Sequence, residues 1–162
     1  MDKRKNKQVI VLAIKPQYAK AILAGAKSVE FRKNGIPESI SHMVLYSTLP
    51  EQMVVGYCSI SGCVIAPPEN LWNLYGACGA ISRENFFNYY KNQKEGKAYL
   101  IERACGFVRP LNFSQFQSTN TPPQSFAYVK NSEWDKLKRK MVKVVTPLHK
   151  ANSPNDCLVL NR

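Results

Sequence analysis

Gly25-Ala26-Lys27-Ser28-Val29-Glu30-Phe31-Arg32-Lys33 is the stretch on which the reading of the fold turns. From Ser28 to Arg32 the residues alternate, with Val29 and Phe31 pointing one way and Ser28, Glu30 and Arg32 the other, as in a half-buried strand. The polar face of that strand carries an acid and a base two residues apart. Gly25 suits the left-handed cap that ends a helix. Upstream, Pro16 fits a first helical position, where its missing N–H leaves no bond unmade. Tyr18, Ala21 and Ile22 recur on one face of this short helix, and the apolar run Val9 to Ile14 before it reads as a buried strand.

Downstream, Asn34 to Ser41 is rich in turn residues, and Met43 to Ser47 is the next strand. Pro50 breaks the chain before a long strand, Gln52 to Ile65, expected to kink or bulge at Gly56 and Gly62. Leu71 to Gly79 is ambiguous, with a helical turn as one reading. Ser82 is an expected N-cap for Arg83 to Asn92, where Phe86, Phe87, Tyr89 and Tyr90 are dense. Lys97 to Ile101 reads as a strand that Arg103 to Val108 extends or re-pairs, residues 112–125 as loop, and Phe126 to Val129 as a short strand. Ser132 caps an amphipathic helix expected to reach Val145, with Trp134, Leu137 and Met141 on one face. Cys157 to Leu160 is read as a closing strand or a loose tail. Short strands broken by turns, with a few helices, give an α+β domain built on a small barrel.

Composition sets the class. At 162 residues the chain is one domain's worth, and 44% hydrophobic with 21% charged residues is ordinary for a globular protein. No apolar run approaches the roughly 18 residues of a membrane span, mean hydropathy is −0.31, and the start resembles neither a secretory signal nor an anchor. A cytoplasmic location without membrane association is therefore expected. The five cysteines are irregularly spaced with no C-x-x-C, and His42 and His149 lie near no cysteine pair in sequence. Reduced thiols, no metal and no cofactor are the expectation. The charge is more telling. Lys and Arg number 23 against 11 Asp and Glu, a formal net charge of +12, and such an excess favours polyanions, RNA or DNA above all.

The Lys15-Pro16-Gln17-Tyr18 helix start and the run Gly25, Lys27, Glu30, Arg32 resemble the signature of the ASCH domain family, within the PUA-like superfamily. Gly56, the stretch Ile81 to Phe87, and Pro122-Pro123-Gln124-Ser125-Phe126 are similar to later parts of the same pattern, so the resemblance covers roughly residues 8–129. It implies a small PUA-like β-barrel with flanking helices, whose cleft accepts RNA or a modified base or nucleoside. A basic tail, residues 1–7, precedes that domain, and residues 130–162 add a basic amphipathic helix and a C-terminal tail. One bacterial branch of the family is an acetylcytidine amidohydrolase using a lysine, a threonine and a glutamate, and another member is described as a single-strand ribonuclease. Lys27 matches that branch's lysine, its threonine position is Glu30 here, and Glu84 stands in the neighbourhood of its glutamate.

The residues also speak for themselves. Glu30 and Arg32 can pair or line a cleft together, and Lys27 sits at the mouth of their strand. A desolvated lysine can act as base or nucleophile, so Lys27 and Glu30 are the candidate catalytic pair, with a structural ion pair as the alternative. Lys15, Lys27, Glu30, Arg32 and Lys33 are the candidate ligand-binding set. Lys136, Arg139, Lys140 and Lys143 are candidate phosphate contacts on the last helix. Phe86, Phe87, Tyr89 and Tyr90, or Trp72 and Tyr75, offer stacking surfaces unless the core takes them. Three functions follow: an RNA-binding module that takes a base or nucleotide in the barrel cleft, a hydrolase of modified nucleosides or single-stranded RNA, or a regulatory protein with a protein partner.

Overall fold

A computed structural model describes residues 7–116, 121–140 and 143–147. Its strands are β1 (Gln8–Ile14), β2 (Val29–Arg32), β3 (Ile40–Ser47), β4 (Met53–Ala66), β5 (Gly96–Leu111), β6 (Phe126–Tyr128) and β7 (Lys143–Pro147). The helices are α1 (Pro16–Leu23), α2 (Pro68–Tyr75), α3 (Arg83–Tyr89), α4 (Phe113–Phe116) and α5 (Asn131–Lys140). The strands form one mixed sheet in the order β2-β5-β4-β3-β1-β6, with β7 also on β5. It curls into a half-barrel. Only β1 and β3 run parallel, because the chain between them crosses over through α1 and β2.

Local chemistry explains most elements. Gly25 stands at φ +81 just past α1, as a left-handed cap requires. Ser82 caps α3 by accepting from the Asn85 N–H at 3.1 Å. The long strand β4 shifts register between Val54 and Gly56 and between Ile60 and Gly62, the bulges expected of its glycines. These irregularities let one strand follow a curled sheet. Gly56 is also a point of close approach. A Cβ there would overlap the Cys105 carbonyl oxygen of β5 and stand 2.9 Å from Leu23 Cδ2. Gly56→Ala is therefore expected to cost about 1–3 kcal/mol, and an unchanged thermal midpoint would show that β4 and β5 can separate without loss.

Three apolar clusters hold the sheet. Ile10, Leu12 and Ile14 of β1 face the inside of the curl with Ala19 and Ile22 of α1. Val9, Val11 and Ala13, on the other face of β1, pack with Phe113, Phe116, Trp134 and Leu137 of α4 and α5. Val29, Phe31 and Phe86 form a third cluster with Leu71, Tyr75 and Tyr90, so α2 and α3 cover β2 and β5.

The C-terminal region differs from expectation. The helix stops at Lys140, and Lys143–Pro147 pairs with Arg103–Phe107 of β5. The β-branched run Val144-Val145-Thr146 suits a strand better than a helix, and an open edge of β5 receives it. Lys143 therefore lies on β7 and not on the helix; the side chains of Lys140 and Lys143 lie outside the described residues. So do the basic tail, apart from Lys7, and Cys157 to Leu160. Within the stretch expected to be loop, Phe113–Phe116 forms a helical turn that buries both phenylalanines. Among the described residues, no helix is long and apolar enough to cross a membrane.

Candidate functional site: a charged cavity at the seam of the half-barrel

The alternation of β2 puts Glu30 and Arg32 on the side away from Val29, facing the open seam between the β2 end of the sheet and β1. Arg32 spans that seam. Its Nε donates to Glu30 Oε1 at 2.8 Å, and Nη2 donates to the Ala13 carbonyl of β1 at 3.0 Å. Lys27 enters from the turn before β2, its Nζ 3.3 Å from Glu30 Oε2 and donating to the Gly79 carbonyl at 2.6 Å. The ammonium also lies 5.1 Å from the centre of the Tyr18 ring. Lys27 is 3% exposed and Glu30 5%, so this is a buried charge cluster, with both carboxylate oxygens engaged.

Burial sets its electrostatics. Desolvation pulls the Lys27 ammonium below its ordinary range, although the Glu30 carboxylate opposes it. Burial pushes Glu30 up, but Lys27 and Arg32 together outweigh it and hold the carboxyl below the usual range. Glu30 stays ionised and clamps two cations, which suits anchoring better than accepting a proton. Lys27 is the group whose proton is loosened.

Above the cluster lies a cavity of about 630 Å³. Lys15, Lys27, Glu30 and Arg32 line it, with the amides Gln17, Asn85 and Gln124, the hydroxyl of Thr48 and the rings of Tyr18, Phe31 and Tyr89. Glu30 is the only carboxylate in this lining. The cavity can therefore take an anionic or carbonyl-bearing planar molecule, offered cations, amide edges and aromatic faces at once.

The expected residues are thus partly gathered. Lys15, exposed at the lip, joins Lys27, Glu30 and Arg32 in the cavity. Lys33 does not line it; its Nζ sits 4.7 Å over the Tyr89 ring and its N–H donates to the Tyr89 hydroxyl at 3.2 Å. Lys136 and Arg139 are exposed on α5, whose apolar side packs on the other face of β1. Of the aromatic candidates, Tyr89 reaches the cavity, while Phe86, Tyr90 and Tyr75 are buried in the core and Trp72 and Phe87 pack against it. Glu84 is exposed on α3 and lines nothing here. Sequence reasoning missed Gln17, Thr48, Asn85 and Gln124. The spacing of Asn85 and Tyr89, one helical turn apart on α3, was the available signal.

Cys58, Cys63 and Cys105 are free, as expected, and burial pushes the thiols of Cys58 and Cys63 up, the latter to about 11. Neither is a thiolate nucleophile at neutral pH. Cys78, by contrast, is disulfide-bonded, which corrects the expectation of reduced thiols throughout; spacing in sequence does not report pairing in space. Among the described residues, no group of three or more His, Cys, Asp or Glu is placed to hold a metal ion.

A curled sheet with flanking helices and a charged seam defines the class, and the ASCH domain model matches residues 12–117, so the chain belongs to the ASCH domain family. An ASCH domain-containing ribonuclease of Zymomonas mobilis is 29% identical over 136 residues, 82% of this chain and 91% of that protein. The crystal structure of ASCH from Zymomonas mobilis superposes with a TM-score of 0.76 at 26% identity, covering 86% of this chain and 99% of that one. A Ureaplasma parvum protein named ATP synthase subunit alpha is 29% identical over 126 residues, which is 77% of this chain but 16% of that protein.

Proposed function

We propose that this protein binds single-stranded RNA and seats one nucleotide in the cavity at the seam. The observation that carries this reading is the lining itself: Lys15, Lys27 and Arg32 for phosphate, Gln17, Asn85 and Gln124 for base edges, and Tyr89 for stacking, against a single carboxylate. The ribonuclease name of the Zymomonas relative supports RNA over DNA or a free modified nucleoside as the polymer to test first. Lys136 and Arg139, exposed on α5, and the net charge of +12 contribute a positive field that draws a polyanion in.

A second reading, cleavage of that RNA, is favoured by the placement of Lys27, Glu30 and Arg32 together in the cavity wall, with the Lys27 Nζ 3.3 Å from Glu30 Oε2. A buried lysine paired with a carboxylate is one arrangement that moves a proton, and Arg32 beside it can stabilise negative charge. The test is a time course with labelled single-stranded RNA on native and denaturing gels, using wild type and a Lys27→Met variant checked for folding by circular dichroism. The expected result is a native shift by wild type, weakened in the variant. Cleavage by wild type that disappears in Lys27→Met establishes the second reading. Neither shift nor cleavage rejects both, and leaves free modified nucleosides and then a protein partner.

A further inference from the structure

The cavity does not end at Gln124. Strand β6 runs antiparallel to β1, with Phe126 opposite Leu12 and Tyr128 opposite Ile10. The pairing continues upstream, since the Ala13 N–H donates to the Ser125 carbonyl at 2.8 Å. Side chains two apart on a strand share a face, so Phe126 and Tyr128 lie in one row beside Leu12 and Ile10. Gln124, in the bend before β6, belongs to the cavity wall, and the row runs on from it for the length of β6. Phe126 is half-buried against the inner cluster, and Tyr128 is 56% exposed, the only aromatic among the exposed large hydrophobics of the described residues. The two rings meet edge to face at 5.7 Å, which holds Tyr128 in place with its surface open. No other described strand pairs with the far edge of β6.

The charge around this row is one-sided. Lys15 stands at its cavity end. At its other end the Val129 N–H donates to the Val9 carbonyl at 2.9 Å, and the exposed Lys130 follows, two residues on from Tyr128. Neither residues 7–15 nor residues 121–130 contain an acidic residue. An aromatic surface bracketed by cations and continuous with the cavity has the chemistry of a single-strand track, in which bases stack on rings while phosphates meet lysines.

We infer that the path from Gln124 over Phe126 and Tyr128 carries the strand of RNA away from the cavity, with Tyr128 as the stacking platform for a flanking base and Lys130 as its phosphate contact. This rests on the cavity reading above, and the experiment keeps the two apart. Fluorescence anisotropy is measured with a labelled dinucleotide and a labelled octanucleotide on wild type, Tyr128→Ala, Tyr128→Phe and Arg32→Ala. Tyr128→Ala is expected to weaken the octanucleotide roughly tenfold and leave the dinucleotide, which the cavity holds alone, unchanged; Tyr128→Phe restores octanucleotide binding because the ring remains.

Equal octanucleotide affinity in wild type and Tyr128→Ala overturns the track while leaving the cavity standing. Loss of both lengths in Tyr128→Ala also overturns it, as the effect is then structural. Unchanged binding of both lengths in Arg32→Ala overturns the cavity reading instead, and a wild type that binds neither overturns both. Sedimentation without RNA is the remaining check: a dimer that Tyr128→Ala dissociates assigns the edge to a second copy of the chain and overturns the inference.

Discussion

Glu30→Ala is expected to destabilise the protein by about 3–5 kcal/mol, because it strands two cations in a place built around one anion. Of the hydrogen-bond acceptors now around them, Lys27 would keep the Gly79 carbonyl at 2.6 Å and Arg32 the Ala13 carbonyl at 3.0 Å, neither of them an anion. The pH dependence separates this cause from a simple cavity. In wild type, Glu30 titrates below its ordinary value on folding, so its stabilisation is complete above that value and is lost as pH falls through the lowered one. Lys27 works in the opposite window. Its pKa in the folded protein lies below 10.5, so the unfolded chain holds more protons between the two values and stability rises with pH there. Removing Glu30 removes the charge that opposes desolvation of Lys27, lowering that pKa further and widening the window. Urea midpoints taken from neutral pH upward should therefore show Glu30→Ala recovering more than wild type. Parallel curves for the two proteins would mean that Lys27 is not stranded and that the cluster is held by packing alone.

Phe86→Ala is expected to cost a similar amount, about 3–5 kcal/mol, and to reach the cavity without touching it. Phe86 is fully buried, with the Phe31, Trp72, Phe87 and Tyr90 rings at 4.9, 5.1, 5.1 and 4.8 Å. Helix α3 is seven residues long, too short to persist on propensity, so this packing is what holds it. Its neighbours Asn85 and Tyr89 are the residues α3 lends to the cavity. Loss of the ring should lower the urea midpoint and also weaken RNA binding under conditions where the variant is still folded, with Phe86→Leu recovering part of both. A destabilised variant that binds RNA at wild-type strength would show that α3 does not position the ligand.

What was legible in the sequence lies close in the chain. The alternation from Ser28 to Arg32 predicted both the strand and which side chains share its polar face, because a period of two is a local property. The caps at Gly25 and Ser82 and the bulges of β4 followed from glycine and serine chemistry at single positions. Helix α5 was legible in its buried Trp134 and Leu137 but not at its ends: it begins at Asn131, so Ser132, expected to cap it, lies inside its first turn, and the competing strand β7 exists only where β5 offers it an edge.

The amino-acid sequence by itself determined the family, from motifs spread along the chain, the α+β class, from the periodicity of successive segments, and the charged trio Lys27, Glu30 and Arg32, from residues within a few positions of one another. Only the tertiary structure decided what that trio faces. The Ala13 and Gly79 carbonyls, Gln17, Thr48, Asn85, Tyr89 and Gln124 come from β1, α1, α3 and the segments after β3, α2 and α4, and meet because the sheet curls β2 toward β1. The same curl left Lys136 and Arg139 on the other face of β1. Convergence of this kind depends on strand order and sheet curvature, which arise from long-range pairing, and no local pattern of residues encodes them.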